Sequence, residues 1–259
     1  MIMKVKVNEY NDKKAQVLFE DASHGFVNAL RRAITNEVPV LAIHDVEFRK
    51  QTSVLYDEIL AHRLGLTPLT TDYATYDYED VKEGEERSAR SQVKLTYTAK
   101  GPGIAYAEGL QCADPAIKPV YGKMPFVKLA GDQELEFEAT AVMGKGKDHS
   151  KWIPGIAMYY EKADFKVHNS KPEKKVRKKF PPQIFDGTEI DVSKINNSIL
   201  IDAVEGVDNS VLEVKRKENA FIFEVESFGM ISAKDMLVRG FAEMRSMLSV
   251  LKGEVDSKL

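Results

Sequence analysis

Few residues in this chain combine type and spacing in a way that could do chemistry. Gly144-Lys145-Gly146-Lys147 alternates glycine and lysine, at first sight in the manner of a phosphate-cradling loop. It lacks the Gly-x-x-x-x-Gly-Lys-Ser/Thr spacing that aims backbone N–H groups and a lysine at one phosphate, so it reads as a flexible basic turn. Glu134, Glu136 and Glu138 fall on one face of a strand, and three carboxylates in a row could collect a cation. Leu135, Phe137 and Ala139 alternate with them, however, and a half-buried strand with a solvated acidic face explains both sets. The histidines, at 24, 44, 62, 149 and 168, are scattered, and none forms a recognisable pair with a nucleophile. His149 beside Asp148 brings no further ligands with it. Cys112 is the single cysteine, too few for an intrachain disulfide, a zinc knuckle or an iron–sulfur cluster. Lys171 to Lys179 holds six basic residues in nine, with only Phe180 beside it. It is either a nucleic-acid contact or a solvated linker, and the lack of interleaved aromatic residues favours the linker.

Composition narrows the class. Thirty-seven basic residues oppose forty acidic ones across 259 residues, a net charge of −3, without the basic excess of a dedicated nucleic-acid binder. The 43% hydrophobic content is ordinary for a globular protein, and the 30% charged fraction suits a surface laced with ion pairs. Met1 to Tyr10 has no apolar signal region, and no run approaches the roughly 18 apolar residues of a membrane span. With one cysteine, these features point to a cytoplasmic, reducing location and no membrane partner.

The elements follow from periodicity. Residues 2–7 alternate as a strand, with Ile2, Lys4 and Lys6 opposite Met3, Val5 and Val7. Asn11-Asp12 signals a turn into a second strand at 15–20. Ser23 can cap a helix in which Phe26, Val27, Leu30, Ala33 and Ile34 share a face until Pro39 stops it. Arg31 lies at the border of that face and Arg32 points away from it. A strand over 40–48 follows, ending before the polar cluster 49–53. The acidic stretch 72–90, in which Lys82 is the lone lysine, reads as a solvated loop. Residues 92–98, 134–143 and 152–167 read as further strands, with Gly101-Pro102-Gly103 as a break. Pro181-Pro182 after the basic run marks a boundary. Shorter strand-like pieces at 189–192 and 211–214 precede a strand in which Phe221, Phe223 and Val225 alternate with Ile222, Glu224 and Glu226. The chain closes on a helix over 232–252, with a Ser232/Asp235 capping pair and Gly253 at its far end. Along it Leu237, Phe241, Met244, Leu248 and Leu251 recur at 4-3-4-3 spacing, an arc wider than packing on one sheet face requires.

Four segments, taken in order, resemble one family. Asn28-Ala29-Leu30-Arg31-Arg32 leading to Glu37-Val38-Pro39 and Leu41-Ala42-Ile43 is similar to a helix-and-strand motif of alpha-like RNA polymerase subunits. These are bacterial alpha, the third-largest subunit of eukaryotic polymerase II and the D-type subunit of archaea. The segment from Leu60 to Leu69 (LAHRLGLTPL) and that from Gly144 to Pro154 (GKGKDHSKWIP) resemble the archaeal and eukaryotic members, as does the closing Phe223-to-Gly229 strand plus helix. The length, and the lack of a carboxy-terminal DNA-binding domain, favour the archaeal branch.

The resemblance implies an α+β fold: a discontinuous dimerisation domain (1–48, 153–168 and 220–259) with an inserted, mainly-β domain (49–152) and a small third domain (169–219). It implies a non-catalytic assembly subunit that pairs with a small partner, the L-type subunit. That pair would be the platform on which the large catalytic subunits and further small subunits assemble, with DNA met only through the holoenzyme. No clustered aspartates of the magnesium-holding kind occur here. The heterodimer seam would use Phe26, Val27, Leu30 and Ile34 of the first helix with Leu237, Phe241, Met244, Leu248 and Leu251 of the last. Arg31, Arg32, His62 and Arg63 are either solvated charges or docking residues for a large subunit, such as the second-largest. Many relatives hold zinc in the second domain or an iron–sulfur cluster in the third. The matching stretches, 72–92 and 180–210, contain no cysteine, so no cofactor is expected, and apolar packing of Ile184, Phe185, Ile195, Ile199 and Leu200 would hold the third domain together. Two other readings stay open: a nucleic-acid binder using residues 171–179, and an enzyme whose site is assembled from distant residues.

Overall fold

The computed structural model describes residues 3–81, 87–195 and 197–258. Ile2 of the first expected strand, and Lys82, Glu83, Gly84, Glu85 and Glu86 of the acidic loop, lie outside the described residues. The fold mixes helix and sheet, as expected. β1 (Lys4–Tyr10), β2 (Lys14–Glu20) and α1 (His24–Arg32) come first. A π-helical turn, Ala33–Glu37, extends α1, and β3 (Val40–Gln51) leads to α2 (Asp57–Gly65). Then come β4 (Gln92–Lys100), β5 (Gly103–Tyr106), β6 (Gln111–Cys112), β7 (Pro125–Leu129), β8 (Glu134–Gly144) and β9 (Gly155–Val167). α3 (Lys174–Arg177), β10 (Phe185–Asp186), β11 (Glu189–Ile190), α4 (Ser198–Val204), β12 (Leu212–Ser227) and α5 (Ala233–Lys258) complete the chain. Strand orders are β1-β2-β12-β9, β3-β8-β4-β6, β5-β7 and β10-β11.

Two compact units divide the chain. One gathers Met1–Asn8, Gln16–Val27 and Met158–Phe223, and the other Glu9–Ala15, Asn28–Ala157 and Glu224–Leu259. In the second, antiparallel β3, β8 and β4 turn Leu41, Ile43, Leu95, Leu135 and Phe137 into one core, closed by Leu60 and Leu64 of α2. Tyr97 stacks on Phe137 with ring centroids 5.1 Å apart. β3 runs to Gln51, past the expected end at Phe48, because Lys50 and Gln51 still find register partners in Glu136 and Leu135. The loop expected to be simply solvated is anchored by its tyrosines. Tyr76 is buried and donates to Asp114, and the Tyr73 hydroxyl donates to the Pro39 carbonyl at 2.6 Å.

In the first unit, Phe180, Ile184, Ile190, Ile195, Ile201 and Val204 form a small core. Ile184 and Ile195 lie in it as expected, and Phe185 and Leu200 pack at its edge. Ile199 does not: it is 76% exposed, since α4 buries the Ile201/Val204 face and position 199 falls on the opposite side. The basic run is not all linker, because Lys174–Arg177 form the single turn α3. On β12, Phe221, Phe223 and Val225 are buried as expected, but Glu224 is buried as well.

α5 is the longest element, 26 residues, and its first half is tightly seated. The Ser232 hydroxyl accepts from the Asp235 N–H at 3.0 Å and donates to its carboxylate at 2.7 Å, closing the expected cap. Ala233, Met236 and Gly240 are buried. A Cβ at Gly240 would stand 2.3 Å from Cγ1 of Ile34, so only glycine lets the helix lie this close to the π-helical turn. The supposed flexible turn at 144–147 is fixed too. Cβ atoms at Gly144 and Gly146 would enter the Trp152 indole and the Thr35 carbonyl oxygen, at 2.2 and 2.0 Å. Lys145, between these glycines, reaches Glu37 at 3.3 Å and Glu243 at 3.4 Å, and lies 4.7 Å from the Tyr78 ring centroid. Burial works against its charge, but the Glu243 and Glu37 carboxylates outweigh it and raise its pKa. Its contribution to stability is thus complete below the ordinary lysine pKa and is lost only as pH rises through the elevated value. Gly253 does not end the helix, which continues to Lys258. It is absent from the glycines with positive φ, the geometry a terminating glycine needs.

The seat yields a thermodynamic cycle. Gly240→Ala should destabilise by about 1–3 kcal/mol through overpacking, despite alanine's better helix propensity. In an Ile34→Ala background, which removes the clashing Cγ1, the same change should be neutral or stabilising. Denaturant unfolding of the four proteins measures this, and equal losses in both backgrounds would disprove the close seat.

Candidate functional site

The residues with catalytic potential are structurally employed. On β8, Glu134 pairs with Lys50 at 3.0 Å and Lys100 at 2.7 Å, while Glu138 pairs with Lys94 at 2.6 Å and Arg49 at 3.2 Å. Hydrogen bonds from Lys100 and Lys94 lower the pKa of Glu134 and Glu138 respectively. Lysines and an arginine from the flanking strands therefore neutralise Glu134 and Glu138 without any added cation, while Glu136 between them makes no ion pair among the described residues. His24 and His168 each contact a carboxylate, Glu161 at 3.0 Å and Glu213 at 3.2 Å. Among the described residues, no group of three or more His, Cys, Asp or Glu side chains could hold a metal ion. The cysteine-ligated zinc or cluster implied by the family resemblance does not fit this donor set. Cys112 is the only thiol of the chain, and it lies half-buried on β6 opposite Leu95, its pKa raised by burial.

The expected seam residues divide into two groups. Val27, Leu30 and Ile34 are fully buried within the chain itself. They have no surface to offer a partner, and their expected place in the seam is corrected: this face of the first helix supplies core. Phe26 is half-buried against Phe19, at 6.1 Å between ring centroids. On α5, Leu237, Phe241 and Met244 are half-buried, whereas Leu248 and Leu251 are 59% and 58% exposed. From Arg245 to Lys258 every residue is exposed, about 20 Å of helix without cover. Leu237, Met244, Leu248, Leu251 and Val255 fall within one narrow stripe at 100° per residue, so an apolar line leaves the seated half and continues into the bare half.

The charged candidates also differ from one another. Arg32 is exposed beside a cleft of about 280 Å³ lined by Ala29, Ala33, Asn36, Glu37 and Met247. Arg31 is held back by its own helix, donating from Nε and Nη2 to Asn28 Oδ1 at 3.2 and 3.0 Å. Arg63 is likewise engaged, with Nη1 donating to the Phe126 carbonyl at 2.7 Å. His62 is exposed on α2. Sequence reading missed the apolar surface beside it. Val54 and Tyr56 are 82% and 75% exposed, and Ile59 and Leu66 are exposed at i+3 and i+10 from Tyr56, on the same side of α2. The signal was available: the buried stripe of α2 needs only Leu60 and Leu64, which leaves these four in excess.

The family model described as the RNA polymerase Rpb3/RpoA insert domain matches residues 46–158. DNA-directed RNA polymerase subunit Rpo3 of Methanosarcina acetivorans is 35% identical over 268 aligned residues, covering 100% of this chain and 98% of the relative. The Rpo3 proteins of Pyrococcus furiosus and Methanothermobacter thermautotrophicus are each 34% identical, covering 91% and 92% of this chain and 90% and 93% of their own. With that identity sustained along nearly the whole length of both partners, this chain belongs to the Rpo3 family of DNA-directed RNA polymerase subunits, the alpha-like subunits of archaea.

Proposed function

We propose that the chain is a non-catalytic assembly subunit of a DNA-directed RNA polymerase, equivalent to the D-type subunit of archaea. The observation that carries this reading, beside family membership, is the bare half of α5. A helix of this length is marginal in water without tertiary packing, and here its apolar stripe has no cover. A helical seam with a small alpha-like partner, the L-type subunit, supplies that cover. In this reading the seam consists of Leu237, Phe241, Met244, Leu248 and Leu251, set on a discontinuous dimerisation domain interrupted by the inserted region. Arg32, His62 and the Val54/Tyr56/Ile59/Leu66 surface then face the larger subunits, which carry out nucleotidyl transfer. Among the described residues no helix is long and apolar enough to cross a membrane, in keeping with assembly in the cytoplasm.

Pull-downs separate the two kinds of surface. Leu248→Asp with Leu251→Asp should abolish capture of the small partner while leaving the chain's own unfolding transition within about 0.5 kcal/mol, because both residues are exposed. Arg32→Glu should retain the small partner and weaken capture of the large subunits by about tenfold or more, the effect of setting like charges together at a docking contact. Wild-type recovery of the small partner by the double variant, or of the large subunits by Arg32→Glu, would refute the corresponding assignment.

We further propose that the chain works without a bound metal, its third domain relying on the apolar cluster around Ile184 and Ile201. Elemental analysis of the purified chain should find neither iron nor zinc at stoichiometric level, and about one metal per chain would overturn this.

A further inference from the structure

The basic run 171–179 is unevenly neutralised. Its outer cations are paired, Lys171 with Glu189 and Lys179 with Asp208 at 3.7 Å. Among the described residues Lys174, Lys175, Arg177 and Lys178 have no carboxylate partner within ion-pair distance, whereas the two ends of the run do. Positions 174, 177 and 178 share one side of α3 at i, i+3 and i+4. With Phe180, Pro182, Phe185 and Gly187 they line a cavity of about 380 Å³. Three like charges gathered at an apolar recess repel one another, and an anion set among them relieves that repulsion while an apolar group fills the space beneath.

We propose that this cavity binds a short acidic peptide segment of a partner protein, one that inserts an aromatic or large aliphatic side chain over Phe180 and Phe185 while its flanking carboxylates meet Lys174, Arg177 and Lys178. Charge complementarity fixes the sign of the partner, and the recessed apolar floor fixes its class. Phe180 is buried and Phe185 half-buried, so neither ring stands out as a platform on which a base could stack. The unpaired cations occupy little more than one helical turn, about 6 Å, too short a track to follow a nucleic-acid backbone. The site lies wholly within one unit and does not depend on the polymerase reading.

Fluorescence anisotropy on the full chain tests it, with a fluorescein-labelled pentapeptide of one phenylalanine between two pairs of aspartates as the probe. Saturable binding that weakens as salt is raised is expected. Replacing the probe's phenylalanine by alanine should lower affinity about tenfold or more, an arm that needs no altered protein. Lys174→Glu with Lys178→Glu, both exposed, should lower it at least as much, whereas Lys128→Glu in the other unit should not change it. The proposal is overturned if the probe does not bind, if the alanine peptide or the charge-reversed chain binds as well as the parent, or if a single-stranded oligonucleotide of equal charge binds more tightly than the peptide. That last outcome would identify the run as a nucleic-acid contact.

Discussion

The missing side chain at Gly240 is the constraint on which the rest of the second unit depends. It lets α5 lie against Ile34, closer than any other residue would allow. Lys145 then locks the arrangement by joining the π-helical turn through Glu37 to the helix through Glu243. The guanidinium of Arg239 lies 3.1 Å from the Tyr73 ring centroid, and the Tyr73 hydroxyl holds the Pro39 carbonyl at the start of β3. These contacts all fall between positions 233 and 243. Once the direction of α5 is fixed there, the helix beyond Met244 runs out past everything able to cover it. On the reading proposed above, the partner seam is a geometric consequence of the seat.

The same economy explains why the chain contains so many charged residues and so little chemistry. Glu134 and Glu138 of β8 are taken up by lysines and an arginine on adjacent strands, and Arg216 on β12 is shared between Asp202 and Glu205, both contacts at 2.6 Å. Surface pairs of this kind each contribute little to stability. Arg32 and the α3 cations Lys174 and Arg177 stand out among the charges outside such pairs because each borders a recess in the surface. Function in such a chain resides in which surfaces are left unsatisfied.

Much of this was legible in the sequence. Period-two alternation located β2, β4, β8 and β12, and the Ser232/Asp235 pair located the start of α5, because both signals are local. The family resemblance rested on short ordered segments and agrees with relatives matched along the whole chain. What escaped reading depended on distant neighbours. The apolar face of α1 indicated burial but could not say whether the cover was the chain itself or a partner, and for Val27, Leu30 and Ile34 it is the chain itself. Gly144 and Gly146 looked permissive because their close neighbours, Trp152 and the Thr35 carbonyl, are set by the fold. Gly253 looked terminal because helix ends favour glycine, yet one glycine costs an exposed helix only about 1 kcal/mol and need not stop it. The α2 surface was overlooked since the sequence reading assigned no element to residues 54–59, and so short a helix gives little periodicity to read.

The most direct test is hydrogen–deuterium exchange along α5 in the full chain, alone and coexpressed with the small alpha-like subunit. Amides of the seated half, 236–244, should be protected in both samples. Those from 246 to 258 should exchange rapidly in the chain alone and become protected by orders of magnitude in the complex. Equal exchange of residues 246–258 with and without the partner would contradict the claim that this half of α5 exists to be covered.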